Sequence, residues 1–151
     1  MLKIYLDNCC YGRPFDPPSN PTIIFESEAK ILIQTLVLNS NVELVSSFVL
    51  HEEALAIPNE EIRKLTIDFL DNAVVYVAKD KVDEVLALAD DIMKTGVRYM
   101  DSAHIACAMI AECDYLVTTD KRLLKYKSEK INIINPIDFI RMWEDGDDAH
   151  Q

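Results

Sequence analysis

Glycine is scarce in this chain of 151 residues: Gly12, Gly96 and Gly146 are the only three. Neither G-x-G-x-x-G nor G-x-x-x-x-G-K-[ST] can be written with them, which excludes the dinucleotide-binding turn and the P-loop. A G-x-S-x-G nucleophile elbow is absent as well. No stretch approaches the roughly 18 apolar residues of a membrane span. The N-terminus lacks a basic segment followed by an apolar one, so no signal peptide is expected. Cysteine is sparse too. Cys9 and Cys10 are neighbours that rarely bridge each other, while Cys107 and Cys113 sit in an apolar helical context. Reduced thiols in a cytoplasm are the economical reading. Basic residues are outnumbered, 15 against 26 acidic, leaving a net charge of −11. Such a surface has no general attraction for nucleic acid, so a local basic patch or a bound cation would have to supply it.

What is present is a hydrophobic content of 50%, enough for one domain with a real core. Short apolar runs alternate with helical periodicity. Strands are expected at about 2–6, 42–46 (VELVS), 74–77 (VVYV), 115–119 (YLVTT) and 131–134 (INII). Helices are expected from Pro21 to about 39, over 47–57, from Asn59 to about 71, from Asp80 to Gly96, over 101–113 and 121–126, and from Pro136 to Trp143. Residues 8–20 read as loop, with Asn20 a cap and Gly96 a left-handed terminator. Apolar strands alternating with helices imply an α/β fold: a parallel sheet of about five strands covered on both faces, in three layers.

The chemistry then falls to carboxylates. In an open parallel sheet, ligands bind beyond the carboxyl ends of the strands. Asp7 ends the first strand there (LKIYLDNCC), and Asp120 ends the fourth (YLVTTD). Asp101 precedes the helical run SAHIACAMIA, and Glu52 and Glu53 lie on the helix after the second strand. Each has a plainer role available. Asp101 and Asp120 are good N-caps, Asp7 can bond loop amides, and the two glutamates can form a solvated face. The conjunction of four acidic positions on one rim favours a site. Other chemistries fit less well. Asp7 has Cys9 two places on, not a second aspartate, which argues against an aspartyl-phosphate phosphatase. His104 and Cys107 lie one helical turn apart, but no second pair completes a zinc site, so a buried helix face is preferred.

LDNCCYGRPFD, SSFVLHEE, YMDSAHIACA and DYLVTTDKRLL, in this order and at these spacings, resemble the PIN domain (PilT N-terminus type) over roughly residues 2–135. The resemblance implies a five-stranded parallel sheet between helices, with residues 1–143 forming a PIN-like nuclease domain and 144–151 a polar tail. It implies an Mg²⁺- or Mn²⁺-dependent ribonuclease acting on single-stranded or structured RNA. Toxins of toxin–antitoxin pairs are among the members, so an antitoxin protein and a homodimer enter as partners. The family's acidic quartet, catalytic and metal-binding, would fall on Asp7, Glu53, Asp101 and Asp120, with Glu52 a rival to Glu53. Thr118 or Thr119 would match the family's hydroxyl. Hard divalent cations take oxygen ligands; they activate water and neutralise charge developing on a phosphate. Without a cation, four clustered carboxylates would raise one another's pKa. Arg13, Lys121, Arg122, Lys125 and Lys127 are candidate phosphate contacts; the last four can equally be an ordinary exposed helix face. The alternative function is a non-catalytic PIN-like module that binds a protein or RNA partner, and a DNA-directed nuclease ranks behind both.

Overall fold

The computed structural model describes residues 1–12 and 20–146. Five strands, β1 (Lys3–Leu6), β2 (Glu43–Ser47), β3 (Val75–Val77), β4 (Tyr115–Val117) and β5 (Asn132–Ile134), form one sheet in the order β3-β2-β1-β4-β5. Every neighbouring pair is parallel. Ile4, Tyr5 and Leu6 are all fully buried. Successive strand residues face opposite sides, so both faces of the sheet are covered. The helices that cover it are α1 (Cys9–Gly12), α2 (Pro21–Leu38), α3 (Phe48–Leu55), α4 (Glu60–Leu70), α5 (Val82–Met93), α6 (Tyr99–Ile110), α7 (Lys121–Leu124) and α8 (Pro136–Asp145). The expected α/β architecture is the observed one.

Local chemistry explains where the elements begin. Asn20 accepts from the Ile23 amide with Pro21 in the first turn of α2, and Asn59 accepts from Ile62 at the start of α4. Ser47, still extended at the end of β2, accepts from the Leu50 amide at 3.1 Å. The chain therefore passes from β2 into α3 with no intervening loop. Gly96 terminates the turn after α5 with φ +98°, a left-handed backbone that a side chain would strain.

Three expectations about local structure need correction. The stretch after β1 is not all loop, because residues 9–12 coil into α1, with the Cys10 amide donating to the Asp7 carbonyl at 2.8 Å. Asp80 caps nothing: it lies within a 3₁₀ turn (Lys79–Lys81), and α5 starts behind it without a side-chain cap. Helix α6 begins at Tyr99, two residues before the expected start, with Arg98 at its N-cap position and no side-chain cap bond. Asp101 is thus inside the first helical turn and not a cap.

The strand order sets the position of the site. The chain starts at the centre with β1, moves outward through β2 and β3, then returns to the other side of β1 for β4 and β5. The connections leave β1 and β4 in opposite directions, so a crevice opens beyond their carboxyl ends, where doubly wound sheets bind ligands.

Candidate metal centre

Asp7 follows β1 directly, and its amide donates to the Val117 carbonyl at 3.0 Å, which ties it to the end of β4. Its carboxylate is held from two sides. Oδ1 accepts from the Asn8 amide at 2.8 Å, and Oδ2 accepts from the Thr118 hydroxyl at 2.8 Å. Thr118 is fully buried, and its oxygen also accepts from the Asp120 amide at 3.0 Å. One threonine therefore orients the acid of the first strand and the backbone of the acid after the fourth. Thr119 contributes its backbone amide to the Cys9 sulfur at 3.4 Å. Asp120 does cap α7, its Oδ1 accepting from the Arg122 amide at 2.9 Å. A cap bond occupies one carboxylate oxygen, so the capping role and a role at the rim are compatible.

The two glutamates part company, as adjacent helical residues about 100° apart must. Glu52 points outward to an exposed ion pair with Lys79 at 3.3 Å. Glu53 turns toward the rim, where Oε1 accepts from the Asn8 side-chain amide at 3.1 Å and pairs with Nε2 of His104. Burial pushes Glu53 upward, but the hydrogen bond and charge of His104 together hold it below the usual glutamate range. Clustering does not raise all the acids, because this imidazole sits among them. For His104 burial acts downward; the bond to Glu53 and the charges of Asp7, Glu53 and Asp101 outweigh it and raise the imidazole.

Asp101, half-buried in the first turn of α6, behaves as the clustering argument expects. Burial raises its carboxyl above the ordinary range, and the charges of Asp120 and then Asp7 raise it further. Ligating atoms of Asp7, Glu53 and His104 all lie within 4.8 Å of one another. Asp101 and Asp120 are not members of that compact group. Asp101, one helical turn from His104, acts on that imidazole through its charge, and Asp120 in turn acts on Asp101.

Sequence reasoning sets His104 aside as a buried helix face, and buried it is, at 2% exposure. Its neighbours are not legible there. Nδ1 meets the Tyr5 hydroxyl at 2.7 Å, and that hydroxyl meets Ser47 Oγ at 2.8 Å. The available signal is the spacing: Asp101 and His104 are three apart on one helix and share a face. Cys107, the zinc partner that helical spacing offers His104, is pushed by burial up to about 11 and stays a neutral thiol at physiological pH. All four cysteines are free.

The donor set suits a divalent cation. Two carboxylates and an imidazole converge within 4.8 Å, and the buried Oδ1 of Asn8 has no hydrogen-bond partner among the described residues. Beside Asp101 a groove of about 560 Å³ opens, lined by Arg98, Arg122, Lys125, Tyr126 and Lys127 among others. Four cations thus gather at one place on a chain of net charge −11. Lys121 is exposed on α7 and does not line the groove. Arg13 lies outside the described residues.

No protein-family profile and no curated protein matches the sequence. The fold does find a likeness. It is similar to the crystal structure of FitAcB from Neisseria gonorrhoeae, with a TM-score of 0.55 and 18% identity, covering 88% of this chain and 97% of that one. At that identity the likeness is one of fold, and the fold is PIN-like.

Proposed function

We propose that this chain is a divalent-metal-dependent endoribonuclease that hydrolyses phosphodiester bonds in single-stranded or structured RNA. The observation that carries the reading is the convergence of Asp7, Glu53 and His104 within 4.8 Å at the β1/β4 crevice, with Asp101 and Asp120 beside them. A bound Mg²⁺ or Mn²⁺ supplies charge neutralisation at phosphate and activation of water near neutral pH. The protein's own residues hold and aim the carboxylates. Thr118 and the Asn8 amide fix Asp7, and Asn8 and His104 fix Glu53. Asp101 and Asp120 add negative field that a cation relieves. Arg98, Arg122, Lys125 and Lys127 line the adjoining groove, which suits an RNA strand approaching the acids, and Tyr126 offers a face for a base. This local patch answers the objection raised by the net charge.

The PIN resemblance extends the reading to the toxin of a toxin–antitoxin pair, with a protein antitoxin as partner and the cytoplasm as its compartment. No helix among the described residues is long and apolar enough to cross a membrane. The test is cleavage of a labelled single-stranded RNA in Mn²⁺ or Mg²⁺. Asp7→Asn, Asp101→Asn and Asp120→Asn should each lower the rate by about 10²-fold or more, the scale of removing one preorganised electrostatic group. Undiminished cleavage in excess EDTA would sink the metal mechanism. Full activity in all three variants would sink the site.

A further inference from the structure

The proposed metal chemistry uses the buried imidazole among the acids only to hold Glu53. We infer that His104 Nε2 is a nitrogen donor to the cation, and that it makes this centre select a first-row transition ion such as Mn²⁺ over Mg²⁺. The inference rests on the proposed metal centre and concerns which ion it takes.

Three observations carry it. First, His104 is 2% exposed, yet its Nε2 faces the crevice and joins ligating atoms of Asp7 and Glu53 within 4.8 Å. Second, its other nitrogen is already occupied. Nδ1 meets the Tyr5 hydroxyl at 2.7 Å, Tyr5 meets Ser47 at 2.8 Å, and Ser47 accepts from the Leu50 amide. With Nδ1–H donating to Tyr5 and Tyr5 donating to Ser47, Nδ1 is held by protein; in the metal-free chain Nε2 carries the proton it shares with Glu53, and a cation that displaces this proton meets the Nε2 lone pair. A ligating histidine has this arrangement: an outer partner fixes the tautomer and ring orientation. Third, Nε2 pairs with a carboxylate oxygen of Glu53, itself in the group, so a cation can take both in place of their mutual hydrogen bond.

Donor chemistry then sets the preference. Mg²⁺ favours oxygen and keeps its waters, whereas imidazole suits the later divalent ions. A nitrogen in a carboxylate site tilts selection along the Mn²⁺-to-Zn²⁺ series. The alternative is that His104 only positions Glu53 by hydrogen bonding and never touches metal.

Pulsed electron paramagnetic resonance of Mn²⁺ bound to the wild-type chain separates the two. Directly bound imidazole gives a nitrogen hyperfine coupling, and His104→Asn should abolish it. The same variant should lose about tenfold or more in Mn²⁺ affinity while its Mg²⁺ affinity changes little. Tyr5→Phe, which keeps the ring and removes the hydroxyl, should retain the coupling with weaker binding. It also serves if His104→Asn fails to fold. Mn²⁺ that binds without nitrogen coupling in the wild type would overturn this inference and leave the carboxylate centre standing. Mn²⁺ that does not bind at all would overturn both.

Discussion

Replacing Asp101 by asparagine should stabilise the metal-free fold and weaken its response to metal. The side chain is in the first turn of α6, where the helix dipole favours a negative charge by about 0.3–1 kcal/mol. Against this stand burial and the charges of Asp120 and Asp7, which raise its carboxyl. No cap is lost, because α6 has no side-chain cap bond. Solvent screens a half-buried carboxyl, so relief of this repulsion should gain roughly 0.5–1 kcal/mol, the scale of a partly exposed charge pair. That is roughly 1–4 °C in melting temperature for a domain of this size. The pH dependence has a definite sign. A raised folded-state pKa means the folded state binds more protons than the unfolded one, so the penalty grows as pH rises through the unfolded and then the folded value. The advantage of Asp101→Asn should therefore be present at pH 7 and shrink toward zero as pH falls below about 3.9. Metal at 100 times its dissociation constant should add about 2.7 kcal/mol to the wild type, and less to the variant. Thermal melts of both proteins in EDTA and in excess Mn²⁺ measure all of this. A wild type indifferent to Mn²⁺ together with a variant that melts lower in EDTA would refute the reasoning, and Asp101 would be a helix-start residue only.

Three further outcomes follow from the same geometry. Glu53→Gln should weaken Mn²⁺ binding in a titration by about tenfold or more, while Glu52→Gln, which removes an exposed pair with Lys79, should leave it unchanged; the reverse result would transfer the role to Glu52. The Glu53–His104 pair should support the metal-free fold most between about pH 4.3 and 6.5. Glu53 is held down, so its contribution is lost as pH falls through its folded value; His104 is held up, so its contribution is lost as pH rises through its own. The stability difference between wild type and Glu53→Gln in EDTA, followed across pH, checks this, and a flat profile would count against the pair. Arg98→Gln or Lys125→Gln should weaken binding of a single-stranded oligonucleotide in EDTA and reduce the salt slope by about 0.7 for each phosphate the variant no longer neutralises. Unchanged slopes would remove the groove from the substrate path.

The sequence by itself determined the class of fold and the order of its elements. Alternating apolar strands and helices leave a parallel sheet covered on both sides as the consistent packing, and Ile4, Tyr5 and Leu6 are buried accordingly. It also placed Asp7 and Asp120 after β1 and β4, because strand ends are marked where apolar runs stop. Boundaries were less legible. Asp101 reads as a cap in a one-dimensional pattern, yet α6 starts two residues earlier, since a helix can begin at an uncapped residue when its body is as deeply packed as residues 102–108 are. Only the tertiary structure decided between Glu52 and Glu53 at the rim. Both fit the same local pattern, and rotation of α3 about its axis is set by packing against the sheet and α4. His104 is the clearest case. Helical spacing shows that it shares a face with Asp101, but its surroundings come from Tyr5 on β1, Ser47 at the end of β2 and Glu53 on α3. Those residues are 99, 57 and 51 positions away, and Tyr5 and Ser47 lie 42 apart. Periodicity describes which way a side chain points within its own element. What stands opposite it is decided when the strands pair and the helices dock.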